Sequence, residues 1–378
     1  MKLIHLSDLH LGKRVHEFPM LEDQAHIIKE ILAIIDQECP DAVLIAGDVY
    51  DRTVPPTEAV NLLDEFLTSL AARNVPVLLI SGNHDSADRL AFGGRVMERS
   101  RIHISPVYDG NVAPVTLEDE YGPVDFFLLP FLKPAAVRAC FPEEAIESTN
   151  DAVRCAVRHL PRAPARRSVL IAHQFVTGAS TCDSEELYVG GSDNVDAEVF
   201  AGFDYVALGH LHGPQNPRPN IRYCGSPLKY SFSELRQNKG VTVVRLGEKG
   251  ALSVEVVPLT PRREMRELRG LYSELAALKF YRDLDLDAYY RVTLTDENDI
   301  PEAIGRLRSI YPNLMCLEYD NARTRNGGQA VEASMEIERK SPLEVFAAFY
   351  REQNNVPLST EQEGYLRPLI EEIWGEEA

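Results

Sequence analysis

Short apolar runs alternate with longer amphipathic segments over the first 80 residues. The runs at 2–6, 42–46 and 77–80 are almost continuously apolar, which is typical of strands buried on both faces. Between them, apolar residues recur at helical spacing over 21–35 and 59–70. This alternation predicts a parallel sheet with right-handed crossovers and helices packed outside it.

The same reasoning extends to residue 259. A hairpin is predicted from 241–246 and 252–259, joined around Gly247–Gly250. The remaining predicted elements are strands at 102–105, 112–117, 124–129, 168–172, 205–208 and 221–224, and a helix over 143–160. We therefore expect one α/β domain over residues 1–260.

Two further regions follow. The segment 261–269 is charged and helix-like, and the pattern beyond it predicts a strand, a helix and a strand at 289–294, 301–310 and 314–319. We interpret 261–340 as a small α/β domain. In 341–378, a capping box at Ser341–Glu344 predicts a helix to about Gln353, and a second amphipathic helix follows Leu358, with Trp374 beside its apolar stripe. This last segment has little core of its own and suits either partner binding or packing on the preceding domain.

Polar residues that bind metals or move protons follow the predicted strands. Any one of them is explained equally well as a turn former, a helix cap or an ordinary histidine. Together they require compensation, because burying several carboxylates and imidazoles without a counter-charge is costly. The set consists of Asp8, His10, Asp48, Asn83, His84, His173, His210 and His212.

Divalent cations are the simplest compensation for this set. Oxygen and nitrogen donors without thiolate suit manganese, iron or zinc. Seven ligands exceed the needs of one ion, and two ions roughly 3.5–4 Å apart form a clamp for in-line attack on phosphorus. The set therefore predicts phosphoester hydrolysis.

The motifs Asp8-x-His10, Gly47-Asp48, Gly82-Asn83-His84-Asp85, His173 and Gly209-His210-x-His212 together resemble the calcineurin-like metallophosphoesterases. Within that family, the chain is most similar to the nuclease subunits of bacterial complexes that contain an ATPase. The resemblance implies a two-sheet sandwich flanked by helices, a small α/β capping domain and C-terminal helices.

The resemblance also implies a role for each site residue. Asp8, His10 and His212 would hold one ion, Asp48 would bridge, and Asn83, His173 and His210 would complete the second site. His84 would then be free to stabilise the transition state and protonate the leaving oxygen, a task suited to an imidazole. Asp85 would either orient His84 or cap a helix.

The net charge of −19 changes the expectation for DNA binding. With 58 acidic and 39 basic residues, the chain would repel a polyanion at long range. A role on duplex or hairpin DNA therefore needs metal ions, local basic patches or a partner. Our leading hypothesis is a manganese-dependent DNA exonuclease and endonuclease within an ATP-driven complex. The resemblance implies an SbcC-type ATPase partner and a homodimer within a heterotetramer. The basic segments at 162–167 and 262–269 are either DNA contacts or solvated surface.

Several classes of protein are disfavoured by composition. Six scattered cysteines form no C-x-x-C pair, and no apolar run reaches the length of a membrane span. The chain starts without a secretion signal, so we expect a cytoplasmic protein. Two alternatives to a DNA nuclease remain: a phosphoesterase for small nucleotides or phosphoproteins, and a noncatalytic scaffold.

Overall fold

A computed structural model describes residues 1–185, 194–322, 324, 342–354 and 356–374. The chain divides into two units, Met1–Glu264 and Met265–Ala378. The division into three domains remains a prediction. Within the described parts of the chain, no helix combines the length and the apolar character needed to cross a membrane.

The strands are β1 Lys2–Leu6, β2 Arg14–Val15, β3 Phe18–Pro19, β4 Ala42–Ala46, β5 Val77–Ile80, β6 Ile102–Ile104, β7 Val115–Asp119, β8 Gly122–Leu128, β9 Arg167–His173, β10 Phe175–Val176, β11 Asn194–Val195, β12 Tyr205–Gly209, β13 Gln215–Arg218, β14 Ile221–Tyr223, β15 Gly240–Leu246, β16 Leu252–Pro258, β17 Met265–Gly270, β18 Tyr289–Leu294 and β19 Leu314–Tyr319. The helices are α1 Leu21–Glu38, α2 Thr57–Ala72, α3 Ala87–Leu90, α4 Gly94–Met97, α5 Pro134–Cys140, α6 Thr149–Arg158, α7 Tyr272–Leu275, α8 Leu278–Tyr281 and α9 Ala303–Arg308, followed by Pro342–Asn354 and Thr360–Trp374.

Two six-stranded sheets form the first unit. The first has the order β16-β15-β1-β4-β5-β6, in which β1, β4, β5 and β6 are parallel. The second has the order β13-β14-β12-β9-β8-β7, with a parallel centre and antiparallel edges. The predicted hairpin of β15 and β16 is present.

The two sheets pack face to face. Leu44 and Leu78 of the first sheet share one buried cluster with Phe126 and Ile171 of the second. The opposite face of the second sheet is covered by a cluster that includes Val153 of α6. Strands buried on both faces explain the near-continuous apolar runs in the sequence. The predicted sandwich is therefore observed.

The second unit contains a three-stranded parallel sheet in the order β17-β18-β19. Tyr290, Leu307 and Leu314 lie in its core. The two C-terminal helices lie where the sequence predicts them, whereas Ser341 of the predicted capping box lies outside the described residues.

Three predictions about the basic segments and their surroundings were wrong. Residues 265–270 form β17 instead of a helix, because alternate side chains pack into a parallel sheet. The helix predicted over 143–160 begins only at Thr149, where Ser148 makes a capping box with Asp151. Arg167 is not in a solvated loop: it lies buried on β9 and pairs with Asp119.

Candidate metal centre

Asp8 and His10 follow β1 in a sharply turned loop. Both have positive φ angles, as have Asp48 after β4 and His210 after β12. Such conformations cost about 1–3 kcal/mol each and are found where the surrounding structure imposes them, often at active sites. The Asp8 carboxylate accepts a hydrogen bond from the backbone N–H of His210 at 3.0 Å. This bond joins the loops of the two sheets.

His10 and His212 face each other across the two sheets. Their Nε2 atoms are 3.0 Å apart, and both side chains are almost completely buried. Together with Asp8 they form a cluster in which one donor atom of each lies within 4.8 Å of the others. The first predicted set of ligands is therefore assembled in the structure.

Asp48 lies at the centre of the cluster. Its Oδ2 atom lies 3.2 Å from His173 Nε2, 3.7 Å from His10 Nε2 and 3.9 Å from His84 Nε2. Its Oδ1 atom accepts the backbone N–H of His84 at 2.9 Å. A carboxylate with histidines on several sides is well placed to bridge two cations.

Asn83 holds the second group together. Its Oδ1 atom lies 3.0 Å from His173 Nε2 and 3.0 Å from His210 Nδ1. The backbone carbonyl of Ala46 lies 2.8 Å from His173 Nδ1, which leaves Nε2 directed at the cluster. The structure therefore brings all eight residues of the predicted set into one site at the carboxyl ends of the parallel strands, where ligands bind in such sheets.

The glycines in these loops allow this close approach. A Cβ atom at Gly82 would lie 2.1 Å from Asp48 Oδ1, and one at Gly209 would lie 1.9 Å from the carbonyl oxygen of Ala46. Gly47 has φ +86°, and a Cβ there would lie 2.4 Å from His173 Nδ1. Side chains at these positions would push the ligand groups apart.

The protonation preferences of the site fit divalent cations. Burial lowers the pKa of His210 to about 3 and holds the pKa of His10 well below its usual range, so both imidazoles are neutral donors. Burial also raises the pKa of Asp8 to about 6. Burial would lower the pKa of His173 as well, but Asp48 and Asp8 raise it to about 9. The proton on His173 thus provides a positive charge beside the carboxylates of Asp48 and Asp8. A bound cation would supply that positive charge in its place.

His84 lies at the rim of this cluster, and its side chain is 12% exposed. One donor atom of His84 also lies within 4.8 Å of donor atoms of His10 and Asp48, so its position alone is compatible with coordination as well as with proton transfer. Its ring meets that of His10 edge to face at a centroid distance of 4.8 Å. The backbone carbonyl of Asp51 lies 3.0 Å from His84 Nδ1 and therefore orients the ring, leaving Nε2 towards the cluster.

Neither role predicted for Asp85 is observed. Its carboxylate accepts backbone N–H groups of Val49, Tyr50 and Gly82 at 3.1, 2.9 and 2.9 Å, and it is 8% exposed. The next helix, α3, has Ser86 at its N-cap. Asp85 therefore fastens the loop after β5 to the loop after β4, since its side chain fits between their backbones.

Sequence reasoning missed the residues that support the site from distant parts of the chain. Gln24 of α1 donates to the carbonyl of His10 at 2.7 Å, and Tyr230 donates to the carbonyl of Leu9 at 2.5 Å. Ser184 contacts His212 Nδ1 at 2.7 Å. These contacts join residues far apart in sequence, so no local pattern indicates them. For Gln24, the helical spacing of the apolar residues around it predicts only the helix that carries it.

Comparison with known proteins defines the class to which this fold and site belong. A family model described as calcineurin-like phosphoesterase matches residues 1–214, so the chain belongs to that family. A second model, described as the type 5 capsule protein repressor C-terminal domain, matches residues 261–354.

A curated relative defines the family more narrowly. The D subunit of the nuclease SbcCD from Staphylococcus epidermidis is 32% identical over 378 residues, covering 98% of each chain. This places the chain in the SbcD family. The predicted phosphoester hydrolase and the α/β fold class are confirmed.

Solved structures resemble the chain more distantly. A dimetal phosphatase from Danio rerio has a TM-score of 0.41 and 11% identity, covering 70% of this chain and 97% of that one. The protein TT1561 from Thermus thermophilus has a TM-score of 0.37 and 9% identity, covering 68% and 98%.

Proposed function

We propose that this protein is the nuclease subunit of a DNA-processing complex and hydrolyses phosphodiester bonds at DNA ends and hairpins with two manganese ions. The observation that carries the proposal is the convergence of seven oxygen and nitrogen donors beside His84, in a chain similar to SbcD over 98% of its length. Oxygen-rich sites with imidazole suit manganese. DNA as the substrate also implies a cytoplasmic location.

Each donor has a place in this proposal. Asp8, His10 and His212 would hold one ion, Asn83, His173 and His210 would hold the other, and Asp48 would contribute to both. Support comes from Asn83 Oδ1, which lies 3.0 Å from both of its histidine partners, and from Asp48, which lies between His10 and His173. When bound, two such ions activate water and stabilise charge on the phosphoryl oxygens.

His84 acts as the general acid in this scheme. The carbonyl of Asp51 accepts the Nδ1–H, so Nε2 is the atom that faces the cluster. From the imidazolium form, Nε2 would donate its proton to the leaving oxygen, which leaves the neutral Nδ1–H ring. A histidine side chain suits this work because it ordinarily changes its charge near neutral pH. Its partial exposure lets it reach a bound substrate without displacing a ligand.

A cationic cleft beside His84 supports DNA as the substrate. A cavity of about 460 Å³ is lined by three basic residues, Lys13, Arg14 and Arg52, and by two acidic ones, Asp51 and Glu58. The backbone carbonyl of Asp51 orients His84. Lys13 and Arg52 are partly neutralised by Asp51 at 2.8 and 3.6 Å. In a chain with net charge −19, these cations provide a local site for the phosphates that flank the scissile bond.

The C-terminal helices are the proposed binding site for an SbcC-type ATPase. They contact each other, and Tyr350 accepts a hydrogen bond from Gln362 at 2.9 Å. Phe349 and Tyr365 are nevertheless 57% and 74% exposed. Exposed aromatic side chains mark interaction surfaces and supply binding hot spots.

The proposed complex also contains two copies of this chain. Phe92, just before α4, and Val96, within α4, are apolar side chains of the first unit that are 83% and 72% exposed, and we propose them as part of the contact between the copies. A Phe92→Asp variant is expected to shift the dimer towards monomer in sedimentation experiments. Metal content should stay at the wild-type level, because Phe92 is not among the donors. An unchanged dimer would exclude this surface.

Cleavage of end-labelled duplex and hairpin DNA tests the proposed function. We expect cleavage that requires manganese and increases when the ATPase and ATP are added. A protein that hydrolyses cyclic nucleotides or phosphoproteins but leaves DNA intact would instead be a phosphoesterase for small substrates. A protein that binds no metal would be a scaffold.

A further inference from the structure

His212 is held by a group of four residues that we call the His212 support: Ser184, Glu185, Glu234 and Lys239. The backbone N–H of His212 donates to Glu185 at 2.6 Å, and its carbonyl accepts from Lys239 Nζ at 2.8 Å. The ring Nδ1 atom lies 2.7 Å from Ser184 Oγ. The backbone N–H, the backbone carbonyl and the Nδ1 side of the ring of His212 are therefore all held in place.

The hydroxyl of Ser184 has one hydrogen and three close partners: Glu234 Oε1, His212 Nδ1 and, at 3.2 Å, Cys182 Sγ. The thiol of Cys182 donates to Glu185 Oε1 at 3.3 Å. Ser184 donates to Glu234 Oε1 at 2.6 Å. Lys239 Nζ donates to the other carboxylate oxygen, and the backbone N–H of Tyr230 donates to Oε1 at 3.1 Å, so the fully buried Glu234 is a well-stabilised acceptor. Since the hydrogen of Ser184 points to Glu234, its oxygen must accept the N–H from His212 Nδ1.

This arrangement determines which ring nitrogen of His212 can bind a cation. With the proton on Nδ1, the lone pair on Nε2 points at His10 and at the site predicted for an ion. Glu234 lies 3.6 Å from Nδ1, too far for a direct hydrogen bond, so Ser184 is needed as the bridge. Groups that hold the second nitrogen of a metal-binding histidine in this way fix its tautomer and raise its basicity.

We propose that Ser184 and Glu234 are positioning residues that hold His212 with Nε2 towards the metal centre and thereby set the affinity of the ion bound by Asp8, His10 and His212. The inference rests on the proposed function, because it takes His212 as a ligand. The ion held by Asn83, His173 and His210 is unaffected, since neither residue contacts that group.

The support joins two segments that are distant in sequence. Ser184 follows β10 along the chain, whereas Glu234 ends the short 3₁₀ helix Phe232–Glu234 and lies 50 positions further on. The affinity of one ion therefore depends on both segments lying together at His212. Ser184 thus supports the site, although it contributes no ligand.

Four variants separate positioning from simple loss of structure. Ser184→Ala removes the acceptor for Nδ1, and Glu234→Gln weakens the acceptor for the serine hydrogen. Ser184→Thr keeps the hydroxyl and should restore wild-type behaviour. Ser180→Ala is the matched control, because Ser180 is exposed in the same loop and bonds to Gln215 only through its backbone.

Manganese titration followed by electron paramagnetic resonance gives the first measurement. Wild-type protein should bind two ions, and Ser184→Ala should lose about 10–100-fold in affinity at one of them, the usual effect of removing such a partner. Ser184→Thr and Ser180→Ala should match the wild type. Two unchanged affinities in Ser184→Ala would overturn the inference even if Glu234→Gln failed to fold.

Nitrogen-15 spectra of the histidines in metal-free protein give the second measurement. The His212 signal, assigned with His212→Gln, should show the Nδ1–H tautomer in the wild type and a mixture in Ser184→Ala. This signal can be recorded without bound metal, so it distinguishes failure of the proposed function from failure of the positioning role. If wild-type protein binds no manganese, the proposed function fails, whereas an unchanged tautomer in Ser184→Ala refutes the positioning role itself.

Discussion

Charged side chains are usually exposed and large apolar ones usually buried, and each of the two units departs from one half of this rule. In the first unit, Asp8, His10 and His173 are completely buried, although burying such groups is costly unless they are paired. In the second unit, Phe349 and Tyr365 are left largely exposed. The proposed function explains each departure by something that would bind there: cations in the first unit and the ATPase partner in the second. DNA cleavage and complex formation should therefore be separable, so that a variant in one unit affects one of them without the other.

The largest effect is expected from Asp48→Ala. Because this carboxylate approaches both groups of proposed ligands, its loss should reduce occupancy at both metal positions. The rate of cleavage should fall by more than the ~10⁴-fold expected at most from loss of a general acid. Bound manganese and DNA cleavage are measured on the same sample. Asp36→Ala, at an exposed ion pair with Arg73, is the matched control. An Asp48→Ala protein that retains two ions would contradict the bridging role.

His84→Ala should reduce cleavage by ~10²–10⁴-fold while both ions remain, because His84 is assigned to proton transfer and not to coordination. Metal content is determined alongside the rate of DNA cleavage. His26, whose side chain is 40% exposed, provides a histidine control in the same unit, and His26→Ala should behave as the wild type. If the His84 variant loses its metal together with its activity, His84 belongs among the ligands.

Deleting residues 341–378 should leave a folded, metal-loaded protein that no longer co-purifies with the ATPase. Basal cleavage should persist, whereas stimulation by ATP should disappear. The point variants Phe349→Ser and Tyr365→Ser should weaken the complex in the same direction. Leu278→Ser, 66% exposed in the same unit, is the control outside the two helices. A deletion variant that still binds the ATPase would place the interface elsewhere.

The smallest effect is expected from Arg52→Ala in the cationic cleft. Loss of one phosphate contact should weaken DNA binding several-fold and lower the dependence of the binding constant on salt by about one unit of slope. Hydrolysis of bis(p-nitrophenyl) phosphate, which we expect to be slow at best, should not change because this substrate has no flanking phosphates. Arg282→Ala is a control of similar exposure. Equal losses with both substrates would show that Arg52 acts on the metal centre instead.

The residues of the candidate centre could be predicted because they follow strands with a strong apolar pattern. Parallel strands deliver the residues after them to one edge, so Asp8, Asp48 and Asn83 were expected to meet without knowledge of any contact. Sequence patterns that predict strands therefore also predicted these site residues, because the site lies where the strands end.

The rest depended on contacts between distant segments. Asp85 looked like a cap or a partner of His84, yet its carboxylate binds three backbone N–H groups from two loops. Arg167 looked solvated, yet it pairs with Asp119 across 48 positions. Residues 265–270 looked helical by composition, yet pairing with β18 makes them a strand. Local sequence has no information about such partners.

A crystal structure of the protein grown with manganese, with anomalous differences recorded, tests the central claim most directly. The account predicts two peaks per chain roughly 3.5–4 Å apart. One peak should be bonded to Asp8, His10 and His212 and the other to Asn83, His173 and His210, with Asp48 touching both and His84 touching neither. A single peak, or two peaks that do not share Asp48, would contradict it.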